Sequence, residues 1–116
     1  MKNNQGRDIV TLAGHLEIAS FYFERLTGLL GRESLSEGCG MLIRHCSSIH
    51  TMFMRFAIDV LYINAGFLVV KTVESLKPWR LSYCLRACAV IELPVGSIQK
   101  HQIKTGAELE VRNANG

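Results

Sequence analysis

A chain of 116 residues, 48% hydrophobic and 20% charged, is long enough to bury a real core and short enough to be one domain. A formal charge of +3, with Lys and Arg scattered and no aromatic-rich basic stretch, argues against nucleic acid as a partner. No apolar run reaches bilayer length and "MKNNQGRDIV" lacks a signal-peptide core, so no membrane partner is expected and the expected location is the cytoplasm.

Residues 1–8 are polar and read as a flexible tail, 9–112 as a single globular β domain, and 113–116 as a second flexible tail. "IVTLAGHLEIAS" alternates around Gly14 and predicts a strand or hairpin. In "SFYFERLTGLLGR", Ser20 can cap while Phe21, Leu26, Leu29 and Leu30 fall near helical spacing, which predicts a short amphipathic helix punctuated by Gly28 and Gly31. "ESLSEGCG" reads as a loop.

From Gly40 the pattern turns β. "MLIRH", "IHTMFMRF" and "IDVLYIN" predict successive strands, Ala65 and Gly66 a hairpin turn, and "FLVVKTVESL" the returning strand. "KPWR" interrupts, because Pro78 cannot donate to a ladder. "ACAVIELP" predicts a strand ended by Pro94, "VGSIQKHQI" a helical turn or two, and "KTGAELEVR" a turn and a last strand. Short strands, one or two short helices and no βαβ alternation predict a mainly β fold, either a sandwich or a partly open barrel.

The charged residues inside these apolar strands are the chemistry-bearing signal. Extended chain alternates faces, so His50, Met52, Met54 and Phe56 would point one way, with Ile49, Thr51, Phe53 and Arg55 opposite. Asp59 would share a face with Leu61 and Ile63, with Ile58, Val60 and Tyr62 on the other. In "AVIELP", Ala89, Ile91 and Leu93 fall on one face, Val90 and Glu92 on the other. A buried carboxylate needs a partner or a shifted pKa. Arg55, His50, Arg25 and Arg80 are the candidate cations for Asp59, and Arg25, Asp59, Arg80 and Glu92 form the expected buried charge network.

His50 beside Thr51 invites a nucleophilic reading, but strand neighbours point to opposite faces, so a general base there would need Asp59 or Glu92 from elsewhere. "CSSIH" and "CLRAC" pair Cys46 with His50 and Cys84 with Cys88 across three intervening residues, a spacing that suits a helix face rather than a strand. The four cysteines, Cys39 among them, therefore read as buried thiols; neither a metal nor a cofactor is expected. Trp79 and Arg80 after Pro78 fit either a recognition surface or a plug at the end of the barrel.

"RLTGLLGR", "GML", "SIHTMFMRFAIDVLYIN", "KPWR" and "VIELPVG" follow one another in the order and spacing of domain-of-unknown-function family 192, which the chain resembles from about Leu16 to Val111. The resemblance implies a compact, mainly β domain found in bacteria and archaea, with some exported members and no established activity. The recurrent positions it carries onto this chain are Arg25, Gly28, Leu29, His50, Thr51, Met54, Asp59, Pro78, Trp79, Arg80, Glu92 and Gly96. Ala57 stands where many relatives have proline, and Ala107 where an aspartate often follows the glycine of the last turn.

Three functions compete on these residues. The first is a small-ligand-binding or accessory module with a polar pocket inside the fold, lined by His50, Thr51, Arg55, Asp59, Trp79 and Arg80 and suited to a small polar or anionic ligand. The second is a hydrolase using His50 with Asp59 or Glu92. The third is a protein-interaction module whose ion pairs are structural. The residues set no oligomeric state.

Overall fold

The computed structural model describes residues 8–12, 16–18, 20–22 and 39–113. Ten strands are assigned among them: β1 (Asp8–Leu12), β2 (Leu16–Ile18), β3 (Ser20–Tyr22), β4 (Cys39–Arg44), β5 (Ser48–His50), β6 (Ile58–Ile63), β7 (Val69–Leu76), β8 (Leu81–Tyr83), β9 (Ala89–Pro94) and β10 (Leu109–Asn113). One helical turn, α1 (Ser97–Lys100), lies between β9 and β10. The strands form a three-stranded sheet in the order β10-β1-β2, a five-stranded sheet in the order β3-β4-β9-β6-β7, and a two-stranded ribbon of β5 and β8. The fold is mainly β and its sheets do not close into a barrel.

The five-stranded sheet is the centre of the molecule. All six residues of β6 are buried, because β6 lies between β9 and β7 and is covered on both faces. One face carries Leu42, Leu61, Ile63, Ile91 and Leu93 and packs under Ile98, Ile103 and Leu109. The other carries Met41, Ile43, Ile58, Val60, Tyr62 and Val90 and packs under Ile49, Met54, Cys84 and Ala87 of the ribbon and its loops. The alternation expected for β6 and β9 is thus the one observed.

The β6–β7 hairpin turns where Ala65 and Gly66 predict it. Asn64 organises the turn: its side-chain oxygen accepts the N–H groups of Gly66 (2.9 Å) and Leu68 (3.0 Å). The predicted β1–β2 hairpin is also present, in antiparallel register from Val10–Ile18 to Leu12–Leu16.

Two elements differ from expectation. Ser20, read as a helix cap, begins β3, which pairs in parallel with β4 from Ser20–Cys39 to Tyr22–Met41. Pairing at a sheet edge overrides the helical spacing there; residues 23–31 of the predicted helix lie outside the described ones. The strand read through "IHTMFMRF" stops at His50, because the Met54 N–H turns back to the Thr51 carbonyl (3.2 Å) and Phe53 adopts φ 68°. The face shared by His50, Met52, Met54 and Phe56 therefore does not exist. Asp8 and Asn113, placed in the tails by their polarity, pair with each other at the ends of β1 and β10.

Candidate binding surface

Thr51, at the end of β5, is fully buried and joins two loops. Its hydroxyl donates to the Lys77 carbonyl (2.6 Å) and accepts the Arg80 N–H (2.8 Å). Its backbone N–H donates to the Arg80 carbonyl, and its carbonyl accepts the Trp79 N–H, both at 2.9 Å. Every polar group of Thr51 is thus committed to holding the "KPWR" segment, which leaves no hydroxyl for nucleophilic chemistry.

This staple brings the tips of both loops together. The Phe53 and Trp79 rings lie 4.7 Å apart between centroids at 59°, an inclined aromatic pair. Both residues have left-handed backbone, φ 68° for Phe53 and 64° for Trp79, a region that costs a bulky residue on the order of 1–3 kcal/mol. The pair nevertheless stays in water: Phe53 is 68% exposed and Trp79 56%. Trp79 does not plug the fold. Met52 and Leu81 are also exposed, and His50 and Arg80 sit beside them on the surface.

Of the residues singled out from sequence, His50, Thr51, Trp79 and Arg80 are brought together, with His50 opposite Leu81 in the ribbon. Arg55 is exposed after the turn and has a partner of its own. Asp59 is not part of this group. Arg25 lies outside the described residues.

Asp59 is 1% exposed, and among the described residues its partners are backbone amides, not an arginine. Its Oδ1 accepts the Ser75 N–H (2.9 Å) and its Oδ2 the Ile98 N–H (2.8 Å). The first donor comes from a bulge: Ile58 pairs with Leu76 and Val60 with Val73, so two β7 residues oppose Asp59. The extra residue Ser75 takes φ 54°, which turns its N–H to the carboxylate. The second donor belongs to the first turn of α1, entered through Gly96 at φ 95°, a conformation natural to glycine. Asp59 thus caps α1 from a neighbouring strand. Arg80, one of the cations considered for Asp59, does not pair with it: Arg80 is exposed, and its Nη1 lies 3.4 Å and 3.5 Å from the Pro78 and Trp79 carbonyls.

Glu92 is 5% exposed on the opposite face of the same sheet, between Met41 and Val60 of the flanking strands. No hydrogen bond or cation reaches it among the described residues. Burial pushes its carboxyl up to about 7, so the acid, not the carboxylate, is the form the site favours. Nearby, the Tyr62 hydroxyl donates to Ser82 Oγ (2.7 Å), tying the sheet to β8. Burial raises the Tyr62 phenol above its ordinary range, and the Ser82 bond opposes that shift. Among the described residues, no ion pair or hydrogen bond links the three described members of the expected network, Asp59, Arg80 and Glu92, while Arg25 lies outside them; nor does a hydrogen bond join His50 to Asp59 or Glu92.

An apolar cleft of about 180 Å³ opens between Leu42, Ile63, Ala89 and Leu109, with His45, Phe67 and Cys88 at its wall. Cys84 is buried as expected, but Cys46 is half-buried and Cys88 exposed, since Cys88 leaves a tight turn at the head of β9. No group of three or more His, Cys, Asp or Glu among the described residues could hold a metal ion. No helix among them is long and apolar enough to cross a membrane.

Sequence reasoning missed Phe53 as a surface residue, and Ser75 and Ile98 as the donors to Asp59. Phe53 was hidden in an apolar run with no turn residue to break it, and backbone donors carry no side-chain signal. Gly96, fixing the entry to α1, was the one local hint.

The family model described as "Uncharacterized ACR" matches residues 2–111. The chain belongs to domain-of-unknown-function family 192. Similar curated proteins include a UPF0127 protein of Pyrococcus furiosus, 40% identical over 65 residues, 55% of this chain and 55% of that protein. A UPF0127 protein of Thermococcus sibiricus is 30% identical over 103 residues, 84% of this chain and 66% of the other. The chain thus spans about half of the first relative's length and just under two thirds of the second's. A third, from Pyrococcus abyssi, is 31% identical over 84% of this chain and 86% of its own.

Two solved structures share the fold at 17% identity. A protein of unknown function from Novosphingobium aromaticivorans superposes with TM-score 0.77, covering 88% of this chain and 83% of its own. A Sinorhizobium meliloti protein, whose name proposes transcription regulation, superposes with TM-score 0.80 over 95% and 98%.

Proposed function

We propose that this family 192 domain is a non-catalytic binding module that engages its partner through the Phe53–Trp79 surface, rather than through a polar pocket inside the fold. The exposed, backbone-strained aromatic pair carries this reading. Leaving a large apolar side chain in water forgoes roughly 1.5–3 kcal/mol of burial, and the left-handed backbone at each position adds a further cost. A feature held against both costs by a buried staple fits contact with something outside the chain. Exposed aromatic and Met side chains at a rigid loop tip are typical anchors of recognition.

A second reading, binding of a small apolar molecule, is favoured by the cleft beside Leu42, Ile63 and Leu109. The hydrolase reading has no such support, because the Thr51 hydroxyl and the Asp59 carboxylate are both spent on backbone groups.

The test is the stability of the Phe53→Gly, Trp79→Gly double variant in urea. Glycine relieves the strained backbone, so a surface kept for binding predicts stability equal to or above wild type. A structural plug predicts a loss of about 3–5 kcal/mol, as for large-to-small changes in a core, and that result would sink the proposal.

A further inference from the structure

Resting on that reading, we infer that the partner is an acidic protein segment carrying apolar side chains. Segments 45–58 and 75–91, which build the ribbon and both loops, contain no Asp or Glu. They do contain Lys77, Arg80 and Arg86, all exposed. Lys77 and Arg80 flank Trp79 in the same loop. The long Arg80 contacts to the Pro78 and Trp79 carbonyls leave its guanidinium donors open to a carboxylate.

Lys71 extends the positive charge to the far end of the ribbon. Its Nζ donates to the Tyr83 carbonyl (2.9 Å) and lies 5.9 Å from the centre of the Tyr83 ring. The ribbon turns Leu81 and Tyr83 outward, at 69% and 58% exposure, while Ile49 and Ser82 face in. From Phe53 through Trp79 and Leu81 to Tyr83 there is therefore a continuous choice of apolar anchors edged by cations.

The mixture selects among anionic partners. A nucleic-acid strand would use the rings and cations but would gain little from exposed Met52 and Leu81, since bases stack on planar groups. Aromatic, Met and Arg side chains without carboxylates match the core of a protein interface instead. A second copy of this chain fits poorly: a two-fold contact sets the same patch against itself and would bring Lys77 and Arg80 up against their own mates. An acidic segment with apolar side chains satisfies both halves of the surface.

Trp79 is the chain's single tryptophan, so its emission reports directly on this surface. The experiment titrates the full chain with a short synthetic peptide alternating Glu with Phe and Leu. Its counterparts with Lys or Ser in place of Glu, and oligo(dT), are titrated in parallel. The expected result is a saturable shift with the acidic peptide alone. That shift should weaken about tenfold or more in Lys77→Glu, Arg80→Glu, and also at about 1 M salt, where the screening length falls to about 3 Å.

Equal binding of the Ser peptide, unaffected by charge reversal, would overturn the acidic partner while leaving the aromatic surface as the binding face. Binding of oligo(dT) in preference to the peptide would overturn it in favour of nucleic acid. Silence of Trp79 to every probe would also overturn it. The binding reading itself falls only if the glycine double variant is strongly destabilised.

Discussion

The two faces of the five-stranded sheet treat a buried carboxyl in opposite ways. Asp59 on β6 pairs with Leu93, and Glu92 on β9 pairs with Val60, so adjacent positions send one acid to each face. Both are nearly inaccessible. Beside Asp59, a bulge in β7 and the first turn of α1 each present an N–H. Beside Glu92 stand Met41, Val60 and Val90. Depth alone does not decide whether a charge can be kept in a core. The supply of oriented donors decides it, and among the described residues the backbone provides them on the Asp59 side only.

The largest expected effect breaks the satisfied side. Asp59→Ala strands the amides of Ser75 and Ile98 and removes what holds Ser75 in its left-handed conformation and α1 at its entry. One buried amide (Ile98) and one part-buried amide (Ser75) left unsatisfied, at about 1–3 kcal/mol each where water is kept out, predict a loss of about 3 kcal/mol in urea unfolding. Asp59→Asn keeps one acceptor oxygen and should lose about half as much. A loss below about 1 kcal/mol for the alanine variant would mean that water satisfies both amides, and the contrast between the faces would collapse.

On the other face the effect runs with pH. The Glu92 carboxyl titrates at 4.5 when unperturbed and at about 7 when folded, so between these values the folded chain holds a proton that the unfolded chain has lost. Stability contributed by the neutral acid is fully present below 4.5 and is lost as pH rises through about 7. The wild type should therefore weaken by about 3 kcal/mol from one end of that window to the other. Glu92→Gln, neutral at every pH, should remove that slope and leave the variant more stable than wild type at alkaline pH. Urea unfolding at a series of pH values reads both. An unchanged slope in the variant would show that another group titrates.

The sequence disclosed the two acids because their strands disclosed their faces. The apolar "IDVLYI" and the alternation in "AVIEL" predict both acids inside, each with its own set of face neighbours, and the structure agrees; that the two lie on opposite sides of the sheet comes from the β6–β9 register. Their partners were illegible for a physical reason. A carboxylate invites the search for an arginine, whereas the donors to Asp59 are amides exposed by a bulge at Ser75 and a helix start after Gly96. Bulges follow from strand register, which periodicity does not encode.

The surface site was half legible by the same logic. "KPWR" announced a loop, and Pro78 and Trp79 marked it as unusual. Phe53 lay inside what reads as a strand, and only the Thr51 hydrogen bonds across 26 residues of chain to Lys77 bring it against Trp79. Long-range pairing of two loops leaves no trace in the local pattern of either.

The smallest predicted effect asks whether Glu92 is as isolated as its face implies. Tyr62 shares that face and is tied to the ribbon through Ser82 Oγ at 2.7 Å. Tyr62→Phe removes the hydroxyl and leaves Ser82 buried without this partner, so a loss of about 1 kcal/mol is expected. If Glu92 is held only by burial, that loss should be the same at acid and alkaline pH, and the same in a Glu92→Gln background, because the two sites share no hydrogen bond. If Tyr62→Phe instead moves the midpoint of the Glu92 transition, the phenol is a donor that turns toward the carboxylate once it ionises. Glu92 would then have a partner of its own, supplied by a side chain where Asp59 uses the backbone.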